Sequence, residues 1–311
     1  MMRLTMAALV LGVLFGLPTG ARAQWAIPDG VKTVSVGGYP LAYQETGSGE
    51  PVVLVHGSLG DYRIWYAQAP TYSKDYRVLS LSLRHYYPER WNGVADDFSI
   101  AQHAADVAAL IQRLNLGPVH LLGHSRGGAV VLTVAKEHPE LIKTLILEDA
   151  SGMEGLLPET PGTKAMAGEV KGLVARLREN LAAGDKEKAG QEFTDGLNGP
   201  GTWAKRSALQ KEILIDNLGT GVDSGERGHI TCADIAKFSF PILTLTGERS
   251  PKRYPEGFAA ARTCNPSIPA AIVIPNAAHA MNRDNPDAFN AAVLAFLAQH
   301  RGPLQPASAT R

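Results

Sequence analysis

Val119-His120-Leu121-Leu122-Gly123-His124-Ser125-Arg126-Gly127 decides how this chain is read. The short apolar run Val119 to Gly123 predicts a strand buried on both faces, and the small-residue segment Gly127 to His138 behind it predicts a helix. G-x-S-x-G is a weak five-residue pattern in isolation, but a strand-to-helix junction is the context that a nucleophile elbow requires. Glycines two positions either side of Ser125 permit a sharp, strained turn that lifts its hydroxyl clear of the sheet. The Arg126 amide then opens the helix, where partial positive charge accumulates and an oxyanion can be held.

Working upstream, Pro51 to Val55 is a second buried run, ending in His56-Gly57-Ser58-Leu59-Gly60. Residues 31–37 and 39–45 read as alternating strands joined at Gly37-Gly38-Tyr39-Pro40, a hairpin. Arg77 to Leu83 reads as a further strand. Ser99, with Gln102 three residues on, opens a helix whose apolar positions Ile100, Ala104, Val107, Ala108, Ile111 and Leu114 keep helical spacing. Downstream, Lys143 to Leu147, Pro241 to Thr246 and Ala270 to Ile274 restore the buried-strand pattern, and Asn285-Pro286 starts a last helix. Between about 152 and 233 short helical patterns rich in Lys, Glu, Ala and Gly replace the strands. Alternating strands and helices predict an α/β fold with a doubly wound, mainly parallel sheet of eight strands, interrupted by an inserted helical cap. Strands after the interruption complete the sheet begun before it, so residues 24–311 read as one domain.

Two further stretches carry chemistry. After the strand 51–55, the Ser58 amide is placed to be the second oxyanion donor, with Leu59 next in order, and His56 reads as a loop-holding residue. His279 follows the last strand and precedes the last helix, at the same sheet edge as Ser125. A serine hydroxyl needs a neutral imidazole to take its proton, and His279 alone among nine histidines has this placement. His103 and His138 fall in helix patterns, and His85 and His229 have no secure position. Leu59, Trp65 and His124 are expected to line the pocket, with Tyr66, Tyr86 and Tyr87 nearby. Phe193, Leu197 and Trp203 of the cap are expected to roof it.

These pieces, His56-Gly57, Gly123-His124-Ser125-Arg126-Gly127, Thr246-Gly247-Glu248 and the segment ending in His279, occur in an order that resembles the α/β-hydrolase superfamily over about residues 31–300. The resemblance is to the branch of esterases and cofactor-free haloperoxidases. It implies a Ser-His-acid triad in that chain order. The family's acid usually lies three residues after the glycine of Gly247-Glu248-Arg249, and that position here is Ser250. Some relatives carry it after the strand that follows the nucleophile helix, which selects Asp149 in Leu147-Glu148-Asp149-Ala150. Asp149 is the expected acid, Glu248 the alternative and Glu148 third.

Residues 1–23 read as a leader: Arg3, an apolar run of 14 residues from Leu4 to Leu17, and Ala21-Arg22-Ala23 at a cleavage site. The run is too short for a span, so an exported protein with no stable membrane association is expected. Removal takes Arg3 and Arg22 and leaves 28 basic against 30 acidic groups. That balance excludes a polybasic nucleic-acid or membrane-surface binder. In an oxidising compartment the two cysteines, Cys232 and Cys264, have one possible bridge. No metal-ligand cluster or phosphate loop is present, so no metal and no cofactor is expected. The function expected is an exported serine hydrolase of a small ester or related acyl substrate. The alternatives are a haloperoxidase or perhydrolase on the same triad, and a non-catalytic ligand-binding protein.

Overall fold

The computed structural model describes residues 25–91, 93, 96–222 and 229–302. The leader expected over residues 1–23 lies outside the described residues.

Eight strands form one sheet in the order β1-β2-β4-β3-β5-β6-β7-β8. They are β1 Val31–Val36, β2 Tyr39–Thr46, β3 Pro51–Val55, β4 Arg77–Leu81, β5 Val119–His124, β6 Ile142–Glu148, β7 Ile242–Gly247 and β8 Ile272–Ile274. Only the pairings of β2 with β1 and β4 are antiparallel; every other pairing is parallel. The strand expected over 77–83 stops at Leu81, because the Leu83 amide turns out of the ladder and donates to His56 Nε2 at 3.0 Å.

The two-residue period of the strands divides the core. The first helix, α1 (Ala69–Tyr72), leads into β4, and Val53, Val55, Leu79, Leu81, Leu121, Leu145 and Leu147 face one side of the sheet, under α2 (Ile100–Arg113) and α3 (Arg126–Glu137). Val52, Leu54, Val78, Leu122, Ile146 and Leu245 face the other, under Phe289, Val293 and Leu297 of the last helix, Pro286–Gln299. Strands buried on both faces explain the unbroken apolar runs in the sequence. Ser99 accepts the Gln102 amide at 3.0 Å and so caps α2 as its sequence implied.

Between β6 and β7 the chain forms α4 (Pro161–Ala182), α5 (Lys186–Asn198), α6 (Thr202–Lys205) and α7 (Ala208–Asp216), with no strand among the described residues. This helical segment has its own small core, in which Leu177, Ala189, Trp203, Leu214 and Leu218 meet Leu59 of the sheet-edge loop. Polar clamps tie it down: Arg63 pairs with Asp216 at 2.9 Å, and Asn217 donates to Asp61 at 2.7 Å. Cys232, opening α8 (Cys232–Ile235), is bonded to Cys264 at the end of α9 (Arg253–Cys264).

Candidate active site

Ser125 joins β5 to α3 with φ 53° and ψ −119°, so the serine itself carries the backbone strain of the elbow. Its flanking glycines serve close approach instead. A Cβ on Gly127 would lie 2.4 Å from the His56 carbonyl oxygen, and one on Gly123 would lie 2.5 Å from that of Gly127. The turn is held by the end of β6: the Ser125 amide donates to the Glu148 carbonyl at 3.0 Å, and the Ser151 amide to the Ser125 carbonyl at 2.9 Å.

His279 Nε2 lies 3.0 Å from Ser125 Oγ, and its Nδ1 lies 3.1 Å from Asp149 Oδ2. Asp149 is fully buried at the tip of β6 with a left-handed φ of 37°. The two other acids considered point elsewhere. Glu248 is exposed and accepts the Asn276 amide at 2.8 Å, which braces the loop leading to His279. Glu148 is buried and accepts the Asn282 amide at 3.1 Å. Ser250, at the position where the family usually carries its acid, donates to Asp149 Oδ2 at 2.5 Å and accepts the Gly247 amide at 2.9 Å.

Electrostatics favour a neutral imidazole facing the hydroxyl. Burial, helped by Arg253, Arg283 and Arg206, holds His279 well below the ordinary histidine range. Burial pushes the Asp149 carboxyl up to about 7, against the Ser250 hydrogen bond, which favours its charged form.

His124 and Tyr254 both adjoin the imidazole. His124 Nε2 lies 2.9 Å from the His279 carbonyl oxygen, with ring centroids 4.8 Å apart. Tyr254 on α9 stacks on His279 at 4.7 Å with 9° between planes. Sequence reading missed Tyr254, because no pattern marks a tyrosine seven residues beyond Gly247.

The loop after β3 is fixed by His56, whose Nε2 accepts the Leu83 amide and whose Nδ1 donates to the Gly57 carbonyl at 2.7 Å. Ser58 is exposed at the mouth, and Leu59, with φ 57°, turns beneath the cap. Ser125, His279, Ser58, Leu59, His124 and Arg126 all border one cleft of about 170 Å³. Phe193, Leu197, Leu173 and Val174 line its cap side, and Ile64 and Ile100 its floor.

The aromatic residues expected in the pocket lie elsewhere. Trp65 ends a single 3-10 turn, Tyr62–Trp65, so it points away from the cleft and packs beneath the sheet in the Phe289 cluster. Tyr86 is buried against His56 at 4.5 Å. Tyr66 and Tyr87 attach the cap: Gln210 donates to the Tyr66 hydroxyl, and the Tyr87 amide donates to Asn217. Trp203 fills the cap's own core, its indole donating to Glu187 at 2.9 Å, and does not roof the cleft. Among the described residues no cluster of His, Cys, Asp or Glu is arranged to hold a metal ion.

A strained serine on a strand-to-helix turn, facing a histidine and a buried carboxylate across a parallel sheet edge, defines the site of an α/β hydrolase. The chain belongs to that family: the profile of the alpha/beta hydrolase fold matches residues 50–209. A curated relative, (E)-2-((N-methylformamido)methylene)succinate hydrolase of Acinetobacter baylyi, is 27% identical over 263 residues, 82% of this chain and 93% of that protein. Among solved structures, a thermophilic esterase from Thermogutta terrifontis is 24% identical with a TM-score of 0.66, covering 88% of this chain and 98% of that one. A bromoperoxidase from Bacillus anthracis is 21% identical with a TM-score of 0.67, covering 86% of this chain and 99% of that one. These two structures share the fold.

Proposed function

We propose that this protein is an exported serine hydrolase that cleaves a small carboxylic ester or related acyl substrate through an acyl-enzyme. Ser125 Oγ attacks the carbonyl carbon while His279 Nε2 takes its proton, and Asp149 stabilises the imidazolium that results. The amides of Ser58 and Arg126 hold the tetrahedral oxyanion, each donor worth roughly 3 kcal/mol of barrier. Arg126 stands at the first position of α3, where helix geometry supplies no acceptor from within the helix. His279 returns the proton to the leaving alcohol, and water, activated by the same imidazole, releases the acid.

The observation that carries this reading is the 3.0 Å and 3.1 Å pair of contacts running from Ser125 through His279 to Asp149. The export half rests on the leader pattern of residues 1–23, and the Cys232–Cys264 bridge suits an oxidising compartment. A fluorophosphonate probe should label the wild-type protein and leave Ser125→Ala unlabelled. Absence of labelling would sink the assignment. Release of p-nitrophenol from short-chain esters, with and without peroxide, separates hydrolysis from haloperoxidase or perhydrolase chemistry. The amino terminus of protein recovered outside the cytoplasm should be Gln24.

A further inference from the structure

Among the described residues, Arg63 and Arg84, which the fold largely buries outside the cleft, are paired. Arg63 is held by Asp61 at 2.7 Å and Asp216 at 2.9 Å, and Arg84 by Asp106 at 2.8 Å and Asp97 at 2.9 Å. The cleft departs from that habit. Arg206, closing α6 of the cap, and Arg283, on the short helix Met281–Asp284 just after His279, both line it. Neither side chain makes an ion pair or hydrogen bond among the described residues, and the Nε of each is buried without an acceptor.

The nearest acids, Asp195, Asp284 and Glu148, pair with neither guanidinium, and buried Glu148 accepts the Asn282 amide at 3.1 Å. Asp195 accepts the Trp203 amide at 2.7 Å, and Asp284 accepts the Ala278 amide at 2.9 Å. The other charged groups of the cleft do not supply a counterion either. Arg253 adds positive charge and donates to the Tyr254 hydroxyl at 2.8 Å, while Arg126 lies over the Phe98 ring. Glu154, the acid of the lining, accepts the Gly152 amide at 2.7 Å. Burial and the neighbouring Arg283 push Arg206 down to about 9 although Asp284 and Asp195 oppose the shift, and burial lowers Arg283 against Asp284 and Glu148, while both stay charged at neutral pH.

A guanidinium buried without a partner is destabilising unless a ligand supplies the anion. Two half-buried guanidinium groups, each with its Nε buried and unpaired, approach one cleft from the cap and from the His279 loop, and planar forks of donors match a carboxylate. We propose that the substrate carries a free carboxylate beside its scissile acyl group, and that Arg206 and Arg283 bind it. This rests on the serine-hydrolase reading for its chemistry, not for the anion site itself. The site also makes the cap a specificity element, because Arg206 belongs to it and Arg283 does not.

The test separates the two readings. Full-length Ser125→Ala protein is titrated by calorimetry with succinate and with its neutral counterpart succinamide. Succinate should bind at least tenfold more tightly, and the added pair Arg206→Gln and Arg283→Gln should remove that preference. Arg206→Lys with Arg283→Lys should retain part of it. In the active protein, kcat/KM for monomethyl succinate should exceed that for methyl butyrate at least tenfold. The glutamine pair should lower that ratio, chiefly through KM for the anionic ester. Equal binding of succinate and succinamide, or a preference untouched by the glutamine pair, overturns the anion site. Failure of the fluorophosphonate label overturns the hydrolase reading and leaves the titration to judge the anion site independently.

Discussion

Ser250 donates its hydroxyl to Asp149 Oδ2, the same carboxylate oxygen that faces His279 Nδ1. The residue at the family's usual acid position therefore supports an acid that comes from a different strand. Asp149→Asn should lower kcat by two to four orders of magnitude, since an amide presents the wrong partner to the imidazole N–H. Glu248→Gln should leave kcat within about threefold, because that carboxylate braces a loop. Adding Ser250→Asp to Asp149→Asn should recover part of the rate. Steady-state kinetics on one p-nitrophenyl ester decides all three, and a severe loss in Glu248→Gln with none in Asp149→Asn would move the acid to β7.

The pH profile should carry the signature of Asp149. Its carboxyl is raised to about 7, so lowering the pH through that value protonates it and removes the charge that stabilises the imidazolium. The rate should fall on the acid side with a midpoint near 7 and the slope of one proton. His279, held well below its ordinary range, ionises only at lower pH. In Asp149→Asn the limb near 7 should vanish from the residual activity. A midpoint unchanged by that substitution would contradict the assignment.

Glu148 adjoins Asp149 but serves the other face of the sheet. It is wholly buried, its Oε2 has no hydrogen-bond partner, and burial raises its carboxyl well above the usual range. A raised folded value means that the native state prefers the protonated form. Stability is then present below the unfolded value and declines as pH rises towards the folded one. Glu148→Gln, which mimics the protonated acid, should keep activity within about threefold and melt at the same temperature or higher, with the gain growing as pH rises. A lower Tm at high pH would contradict this.

The strand pattern was legible because parallel strands covered on both faces leave unbroken apolar runs, and β5 with its serine turn anchored the rest. His279 was legible from its place between the last strand and the last helix. Trp65 was misread because the phase of a single 3-10 turn decides which side of the sheet a side chain covers, and one turn has no periodicity to show it. The choice between Asp149 and Glu248 depended on which strand tip reaches His279. Tyr254, Arg206 and Arg283 were invisible for a related reason: residues from the cap, α9 and the His279 loop meet in the cleft without any shared spacing.

The bridge between Cys232 and Cys264 spans 32 residues and ties the exit of the helical insertion to the end of α9. Closing a loop of that size restricts the unfolded chain by about 3–4 kcal/mol in the chain-entropy description. Of the bonded helices α9 borders β7, whose end at Gly247 leads through Ser250 to Asp149. Cys232→Ser with Cys264→Ser should therefore lower Tm clearly while kcat at 25 °C stays within about threefold, because neither sulfur reaches the cleft around Ser125. Denaturant unfolding of the two proteins, with and without reductant, checks both halves. Reductant should bring the wild type to the stability of the double variant and leave that variant unchanged. A wild type indifferent to reductant, with no thiol titrated after unfolding in it, would show a bond that does not open under these conditions. The double variant alone would then measure its worth.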